Sequence, residues 1–243
     1  MLDIIYGRNP VISALKGAKK PQRILMSKTI RDARINELCH EFDIKTDYVD
    51  NAVLNKLSRG KNHQGVVAYV EPFQYTDITK VLLNTKDKEE ALLLILDGIE
   101  DPANLGSMIR TSSCFGVDGI IIAKNRQVQV TPAVIKVATG AEEYVPISEV
   151  VNISQTIIAL KKAGYWIVAA DGSGDKMYDQ INYSGKIAIV IGSEGRGASN
   201  IVLHNSDFIV RIPISGPITS LNASISGAIM LAEVVRFRRA LKK

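Results

Sequence analysis

The chain has 243 residues, 46% of them hydrophobic and 23% charged, and its formal net charge is +5. This balance is typical of a globular protein rather than a disordered one, and the length allows one large domain or two small ones. The chain starts without the basic residues and long apolar run of a signal peptide, and no apolar run is long enough to cross a bilayer. We therefore expect a cytoplasmic protein with no membrane contact.

The cysteines and the cations narrow the class of partner. Cys39 and Cys114 form neither a CxxC pair nor a metal-binding pattern, so we expect two reduced, buried thiols and no metal site. Lys and Arg exceed Asp and Glu mainly in residues 1–71 and at the C-terminal end. This distribution suits a polyanion such as RNA, and a solvated basic surface is the alternative explanation.

Residues 1–71 alternate between short strands and helices, which predicts a small α/β module. Strands are expected at 22–26, 46–49 and 66–70, and helices at 10–15, 30–42 and 51–57. The loop 59–65 gathers two cations, an Asn, a His and a Gln between glycines. Such side chains suit phosphate or base contacts, and an ordinary polar loop is an equally good interpretation.

Residues 72–90 combine Pro72, polar residues and a charged run around one short helix near 78–83, and we interpret them as a linker. The run 91–96 is continuously apolar, as in a strand buried on both faces of a parallel sheet. Further strands are predicted at 119–123, near Val145, and at 166–170, 187–191 and 208–212, with helices at 103–115, 131–139, 153–163, after Gly197 and at 222–240. This alternation predicts a mostly parallel sheet that binds ligands at the carboxyl ends of its strands.

The first unusual loop follows Leu96 and leads into the helix that contains Asn104 and Arg110. Six residues turn a helix by about 600°, so these two side chains leave it on different faces. Asp101 and Pro102 fit an N-cap and a first helical position, which is a purely structural explanation of those two residues.

Two later loops also depart from plain turns. The loop 192–197 is rich in glycine, which suggests a cofactor that approaches bare backbone, but it matches no phosphate-binding fingerprint and Glu194 would repel a pyrophosphate. The loop 211–222 contains two prolines and a Thr-Ser-Leu-Asn run, and it is longer than a turn requires. Ser220 or Asn222 would also serve as a cap for the last helix.

The three loops should meet at one edge of the sheet, and their polar residues include neither histidine nor cysteine. A histidine-dependent hydrolase and a metalloenzyme are therefore disfavoured. A group transfer that depends on the positioning of two reactants is favoured instead.

The three loops resemble the motifs of the SpoU class of SPOUT RNA 2′-O-methyltransferases. The motifs read Asp97-Gly-Ile-Glu-Asp-Pro-Ala-Asn-Leu-Gly-Ser-Met-Ile-Arg, Ile191-Gly-Ser-Glu-Gly-Arg-Gly and Arg211-Ile-Pro-Ile-Ser-Gly-Pro-Ile-Thr-Ser-Leu-Asn. The segments Ile4-Ile-Tyr-Gly-Arg-Asn-Pro-Val and Asn62-His-Gln-Gly resemble the substrate-binding domain of the RlmB subgroup, which methylates a guanosine ribose in large-subunit (23S) ribosomal RNA. The resemblance covers nearly the whole chain.

The resemblance implies a small N-terminal L30e-like α/β substrate-binding domain at 1–71, a linker at 72–90, and a SPOUT α/β domain with a mostly parallel sheet and a deep trefoil knot at 91–243. It also implies an enzyme that uses S-adenosylmethionine and acts on ribosomal RNA as a homodimer. General topological rules alone would argue against a knot, since knots are nearly absent from proteins.

The resemblance also assigns site residues by their position in the motifs. The catalytic set is Arg110, Asn104, Glu194, Ser220 and Asn222. The cofactor-binding set is Gly192, Ile212, Leu221, Ser220, Gly216 and Pro213. The substrate-binding set is Arg8, Asn62, His63 and Gln64, from the matching N-terminal segments, together with Arg59 and Lys61, the two cations of the loop 59–65. Ile214 stands where many relatives have Met, a change that keeps an apolar wall.

The resemblance makes Arg110 the activator of the 2′-hydroxyl, but a guanidinium with a pKa above about 12 is a poor base. We expect Arg110 to clamp a phosphate and polarise the hydroxyl, Asn104 to shape its loop, and Glu194 to hold loop geometry or contact a second subunit. The last helix is apolar almost all round and begins with small residues, which favours a dimer.

Three other functions are considered from the sequence. A transfer-RNA 2′-O-methyltransferase would share the same catalytic domain. A non-catalytic RNA-binding protein would not need Asn104, Arg110 and Glu194 together. A nucleotide-binding oxidoreductase is disfavoured because the dinucleotide fingerprint is missing.

Overall fold

A computed structural model describes residues 2–17, 20–30 and 32–242. The strands are β1 Asp3–Tyr6, β2 Arg23–Ser27, β3 Thr46–Val49, β4 Val66–Val70, β5 Ala91–Asp97, β6 Gly119–Ala123, β7 Ile147–Val150, β8 Trp166–Ala170, β9 Lys176–Met177, β10 Lys186–Gly192 and β11 Phe208–Arg211. The α-helices are α1 Arg8–Lys16, α2 Ala33–Glu41, α3 Asn51–Leu57, α4 Ile78–Thr85, α5 Pro102–Cys114, α6 Pro132–Ala138, α7 Ile153–Lys162, α8 Asn200–Asn205 and α9 Ala223–Leu241.

The observed elements follow the predicted alternation, with several differences. The sequence pattern does not indicate strand β1 or the 3₁₀ turn at Ala141–Glu143. The strand expected near Val145 lies a little later, at β7, and the sequence pattern does not indicate the two-residue strand β9. The helix predicted at 30–42 is shorter, because Asp32 caps α2 by accepting a hydrogen bond from the backbone of Ile35. Arg31, within that predicted helix, lies outside the described residues.

One compact unit consists of Met1–Gln74 and Val130–Tyr144. Its four-stranded sheet has the order β1-β4-β2-β3, in which β2 pairs parallel with β3 and antiparallel with β4. Apolar residues of α1, α2 and this sheet form its core, and Ile135 of α6 packs against them. A helix from the middle of the chain is therefore part of the N-terminal unit.

The segment 130–144 is fastened to α1 by a close backbone approach. Ser13 donates its hydroxyl hydrogen bond to the carbonyl of Thr139 over 2.9 Å. Gly140 has a φ of 93°, and a Cβ at this position would lie 2.3 Å from the Cβ of Ser13. Only glycine fits there, since a side chain would meet both a clash and an unfavourable backbone conformation. The division at 1–71, 72–90 and 91–243 stays a prediction.

The other compact unit consists of Tyr75–Gln129 and Val145–Lys243. Its seven-stranded sheet has the order β7-β6-β5-β10-β8-β11-β9, and each described pair of neighbouring strands is parallel. The apolar runs of β5 and β10 are buried at its centre, so the predicted α/β fold with a mostly parallel sheet is confirmed. The trefoil knot stays a prediction.

The register of this sheet brings the ends of four strands to one edge. Gly192 of β10 pairs with Asp97 of β5, and Ile191 pairs with Ala170 of β8, which also pairs with Val210 of β11. Because the strands are parallel, the loops that follow all four of them leave the sheet at the same edge.

Two further findings concern the predicted linker and the cysteines. Helix α4, inside the segment interpreted as a linker, buries Val81 in the second unit, and the hydroxyl of Tyr165 donates to that of Thr85 over 2.7 Å. Cys39 is buried as expected, but Cys114 is exposed at the end of α5, so the expectation of two buried thiols is wrong for Cys114. None of the described helices is long and apolar enough to cross a membrane.

Candidate active site

A cavity of about 450 Å³ lies at the carboxyl edge of the parallel sheet. Its walls come from the loops after β8, β10 and β11 and from the start of α9. Of the predicted site residues, Gly192, Glu194, Ile212, Ser220 and Leu221 line it. The edge at which the sequence pattern places ligands therefore contains a space of the size that small-molecule sites have.

Gly192, the last residue of β10, is required by the way the following loop folds back. The backbone groups of Ser193 and Gly197 donate to each other's carbonyls, both over 3.0 Å, and close the loop. A Cβ on Gly192 would lie 2.0 Å from backbone atoms of Gly197 and Ala198. Since backbone cannot move aside as the tip of a side chain can, only glycine allows this approach.

Three amide and carboxyl side chains connect the three motif loops. Asn104 donates from Nδ2 to Oε1 of Glu194 over 2.9 Å. Asn222 donates from Nδ2 to Oδ1 of Asn104 over 2.9 Å and to Oε1 of Glu194 over 2.6 Å. We call these three residues the amide–carboxylate cluster. It fixes the positions of the three loops relative to one another.

Asn222 uses its two ends for two different tasks. Its Oδ1 accepts from the backbone of Ser224 over 2.9 Å and of Ile225 over 3.3 Å, which caps helix α9. Its Nδ2 meanwhile donates within the cluster. Asparagine has both an acceptor and a donor at its tip, so Asn222 caps α9 and joins the cluster at the same time, and its predicted catalytic role stays a prediction.

In the N-terminal unit, the loop 59–65 takes its shape from left-handed backbone and its own side chains. Arg59 and Gln64 have φ values of 51° and 50°, although neither is glycine. The backbone of Gly65 donates to Nδ1 of His63 over 3.0 Å, so the neutral ring carries its proton on Nε2 and donates to Asn55 over 3.1 Å. Asn62 accepts from the backbone of Gln64 over 3.2 Å.

The other predicted substrate-binding residues surround this loop. The backbone of Arg8 donates to Oε1 of Gln64 over 2.9 Å, and the Arg8 guanidinium pairs with Asp32 at 3.4 Å. Arg59 and Lys61 are exposed and form no ion pair with any residue that the structure describes. The loop therefore presents two free cations on a defined backbone.

Lys136 of α6 reaches the same loop, which sequence reasoning did not indicate. Its ammonium donates to the carbonyl of Asn62 over 3.3 Å and lies 4.7 Å from the centroid of the Tyr6 ring. A helical pattern does not show against which unit a helix packs. The location of α6 in the N-terminal unit is the fact that would have singled out Lys136.

Two family models match the sequence. The SpoU rRNA Methylase family matches residues 91–232, and the RNA 2′-O ribose methyltransferase substrate binding model matches residues 4–76. The chain belongs to the SpoU methylase family. The predicted relationship to RNA ribose 2′-O-methyltransferases is thereby confirmed at the level of the family.

Relatives and solved structures agree with this family. A Staphylococcus saprophyticus protein named as a TrmH family tRNA/rRNA methyltransferase is 39% identical over 97% of this chain and 96% of its own length. An rRNA methyltransferase of Sinorhizobium meliloti with bound AdoMet is 26% identical and superposes with a TM-score of 0.80 over 97% of this chain and 87% of that one. The SpoU methyltransferase AviRb of Streptomyces viridochromogenes, in complex with AdoMet, is 24% identical and superposes with a TM-score of 0.84 over 98% of this chain and 91% of that one.

Not every predicted residue of this SpoU methylase lies at the cavity. Pro213 and Gly216 are exposed in the loop 211–222 and do not line it. Arg110 is exposed on α5, whereas Asn104 on the same helix is buried, as the six-residue separation implies. Arg110 has no ion pair or side-chain hydrogen bond within the described part of the chain. The roles of these residues stay predictions.

Sequence reasoning missed two charged residues of the methylase cavity. Asp171 follows β8 and Arg196 lies in the glycine-rich loop, and both line the cavity. The connection between β8 and β10 has no helical pattern and was therefore not treated as a strand-to-helix loop. The carboxyl end of β8 itself was the available signal, because it lies at the same sheet edge.

Proposed function

We propose that this SpoU methylase transfers a methyl group from S-adenosylmethionine to the ribose 2′-oxygen of a guanosine in large-subunit (23S) ribosomal RNA. One observation carries the proposal. Asn104 of α5, Glu194 of the loop after β10 and Asn222 at the start of α9 hold one another beside the cavity at the carboxyl edge of the sheet, which Glu194 lines.

The cavity suits S-adenosylmethionine in size, shape and charge. Ile212 and Leu221 provide apolar walls for an adenosine, and the bare backbone around Gly192 allows close approach. The carboxylates of Asp171 and Glu194 suit a cationic ligand and disfavour a phosphate. These residues would hold the cofactor, and AdoMet in the two solved relatives supports that choice.

The bound cofactor supplies a methyl group on a positively charged sulfur. The chain must place the ribose hydroxyl in line with that methyl group and provide for the loss of the hydroxyl proton. The guanidinium of Arg110 is exposed and has no partner among the residues that the structure describes, so it is available for a two-pronged contact with a phosphate. In our proposal Arg110 clamps the target phosphate and polarises the 2′-hydroxyl, and the phosphate accepts the proton, since a guanidinium stays protonated.

The N-terminal unit supports ribosomal RNA as the substrate. The matched substrate-binding model covers the loop 59–65, where Arg59 and Lys61 are free to neutralise phosphates. The S. meliloti rRNA methyltransferase superposes on 97% of the chain. Transfer RNA is the alternative substrate, because the name of the S. saprophyticus relative includes both RNAs. The choice of guanosine rests on the resemblance of the N-terminal motifs to the RlmB subgroup.

We further propose that the enzyme works as a homodimer in the cytoplasm. Helix α9 borders an apolar groove of about 380 Å³ that includes Phe115, Ala232 and Val235. Partly buried apolar side chains along a groove of this kind suit contact with a second subunit. Light scattering should give twice the mass of the chain, and a stable monomer at micromolar concentration would contradict the dimer.

Mapping ribose methylation in RNA from cells with and without the gene tests the function directly. We expect one guanosine of 23S rRNA to lose its 2′-O-methyl group and to regain it in vitro with the purified protein and S-adenosylmethionine. Loss of a 2′-O-methyl group from transfer RNA alone would mean that transfer RNA, not ribosomal RNA, is the substrate. Absence of any lost mark, together with no cofactor binding by calorimetry, would favour a non-catalytic RNA-binding protein.

The variant Arg110→Lys tests the proposed clamp. Lysine keeps the charge but cannot make the two-pronged contact, so we expect kcat to fall by about 100-fold, which corresponds to roughly 2.7 kcal/mol. Cofactor affinity should stay unchanged, because Arg110 does not line the cavity. Near-native turnover of Arg110→Lys would contradict the clamp.

A further inference from the structure

Asp171 occupies a fixed position at the mouth of the cavity. It follows β8, and its backbone donates to the carbonyl of Val210 in β11 over 2.9 Å. The chain then turns, with the backbone of Gly174 donating to the carbonyl of Asp171 over 3.1 Å. A Cβ on Gly174 would lie 2.7 Å from the backbone of Val210, so the turn is packed tightly against β11.

The two oxygens of the Asp171 carboxylate have different surroundings. Oδ1 accepts from the backbone of Ser173 over 3.0 Å and from its hydroxyl over 2.7 Å. Oδ2 faces Gly197, where an added Cβ would lie only 2.3 Å away. No donor reaches Oδ2 from the described part of the chain. One oxygen therefore holds the turn, and the other is left with free lone pairs beside the glycine-rich loop.

The other carboxylate of the cavity, Glu194, binds protein donors through one of its two oxygens. Oε1 of Glu194 accepts from Asn104 and from Asn222 in the amide–carboxylate cluster. No donor from the described residues reaches Oε2 of Glu194 or Oδ2 of Asp171, but Glu194 is held by side chains of two other elements, whereas the Asp171 carboxylate is held only within its own turn. A fixed carboxylate with a free oxygen is a strong acceptor for a hydroxyl or an ammonium group.

We propose that Asp171 binds a hydrogen-bond donor of S-adenosylmethionine, which carries such donors as its ribose hydroxyls and its amino-acid ammonium. The inference rests on the proposed function, because it assigns a further ligand of the same cofactor. Gly197 is part of this arrangement, since any side chain there would occupy the position of Oδ2. Oδ2 of Asp171, after β8, and the glycine-rich loop after β10 therefore form one binding surface at the carboxyl edge of the sheet.

Isothermal titration of S-adenosylmethionine into Asp171→Asn tests this assignment. The amide keeps the size of the side chain and an acceptor for Ser173, but it replaces the free oxygen by a donor. We expect the dissociation constant to rise by about 10-fold or more, as for the loss of a hydrogen bond to a charged group. Wild-type affinity of Asp171→Asn would overturn the proposal.

Ser173→Ala is the matched control. It removes the hydroxyl that Oδ1 accepts from and leaves Oδ2 unchanged. Its dissociation constant should stay within about threefold of the wild type, and an equal loss in both variants would show that Asp171 only shapes the turn. If Asp171→Asn does not fold, Asp171→Ser supplies the test, since a serine hydroxyl also caps such turns and lacks the free carboxylate oxygen.

Titration of 5′-methylthioadenosine identifies the donor, because this compound keeps the ribose and lacks the amino-acid part. Equal weakening of both ligands in Asp171→Asn points to the ribose. Weakening of S-adenosylmethionine and of S-adenosylhomocysteine, which keeps the ammonium and lacks the sulfonium charge, points to the ammonium, and weakening of S-adenosylmethionine alone would mean that Asp171 acts on the sulfonium charge and binds no donor. Weakening of neither overturns the inference while the proposed function stands. Failure of the wild-type protein to bind S-adenosylmethionine would instead contradict the proposed function.

Discussion

The cavity loops and the loop 59–65 use polar side chains in opposite ways. Asn104, Glu194 and Asn222 bind one another, so their polar groups are largely occupied before any ligand arrives. In the loop 59–65, Asn62 and His63 fold the backbone locally, while the nearby cations are left free. The first arrangement fixes a shape, and the second presents charge.

This difference follows from the ligands proposed for the two regions. A small cofactor is recognised by rigid cavity walls. Because polar side chains already hold the loops in place, little conformational entropy is lost when the cofactor binds. A polyanion is bound chiefly through charge and the release of its counterions, which needs unpaired cations. Substitutions should therefore change stability and cofactor affinity in the first region, and salt-dependent RNA affinity in the second.

The largest effect is expected from Asn222→Asp. The aspartate keeps an oxygen that caps α9 but loses the amide donor, and it faces Glu194 where Nδ2 lay 2.6 Å from Oε1. Loss of the donor and repulsion between the two carboxylates should lower the free energy of unfolding by about 2 to 3 kcal/mol and weaken cofactor binding at least tenfold. Urea unfolding and calorimetric titration at pH 8 measure both.

Ser224→Ala is the control for capping, because Ser224 donates its hydroxyl to the capping oxygen and takes no part in the cluster. Its effect should stay below about 1 kcal/mol, with cofactor affinity unchanged. Equal behaviour of Asn222→Asp and Ser224→Ala would mean that Asn222 acts only as a cap. The cavity would then not depend on mutual satisfaction of its polar side chains.

The sequence predicted much of the cavity for a physical reason. In a parallel sheet all the carboxyl ends lie at one edge, so strand order need not be known to place Asn104, Gly192 and Asn222 near one another. The pairing of particular atoms was not predictable, because it depends on the loop conformation that Gly192 and Gly197 permit. Asp171 was missed because no helical pattern follows β8, although the carboxyl end of that strand lies at the same sheet edge.

The N-terminal unit was less predictable, because one of its parts is distant in the chain. The pattern of 131–139 indicated a helix, and α6 confirms it, but hydrophobic periodicity does not identify the surface that a helix covers. The sequence alone did not show why residue 140 must be glycine, because the reason is the position of Ser13 in the folded unit. The contact of Lys136 with the loop 59–65 and the burial of Glu142 likewise became visible only once the segment 130–144 was located in the N-terminal unit.

Glu142 of the N-terminal unit is a buried carboxyl, and its Oε2 has no hydrogen-bond partner among the described residues. Burial, assisted by the neighbouring Glu143, raises the pKa of Glu142 to about 7. The folded state therefore binds a proton that the unfolded state, with a pKa of about 4.3, has already lost over this range. The free energy of unfolding should fall as pH rises through this window, and the loss is complete above pH 7.

Glu142→Leu removes this titration at similar volume. We expect the variant to have a higher free energy of unfolding than the wild type at pH 8. The difference in free energy of unfolding between variant and wild type should be about 2 kcal/mol larger at pH 8 than at pH 5. Urea unfolding at the two pH values measures the difference. Glu143→Leu, at an exposed neighbour, should show little pH-dependent gain. An advantage that does not change with pH would contradict a buried, titrating Glu142.

The smallest effect is expected from Lys136→Gln, which tests whether the loop 59–65 needs support from α6. Glutamine removes the charged contact to the carbonyl of Asn62 and the position over the Tyr6 ring. We expect the dissociation constant for a 23S rRNA transcript to rise about fivefold, or roughly 1 kcal/mol, with cofactor affinity unchanged. Filter binding over a range of salt concentrations gives both the affinity and its salt dependence.

The salt dependence separates support of the loop from a direct contact with RNA. A lysine that neutralises a phosphate contributes about one unit to the slope of log affinity against log salt, whereas a lysine that holds the loop contributes little. Lys136→Gln should therefore weaken binding with a nearly unchanged slope, and Lys61→Gln should reduce the slope. Lys45→Gln, at an exposed lysine that precedes β3, controls for lost charge alone. A reduced slope in Lys136→Gln would make Lys136 a phosphate ligand, and the N-terminal unit would then present three cations to RNA rather than two.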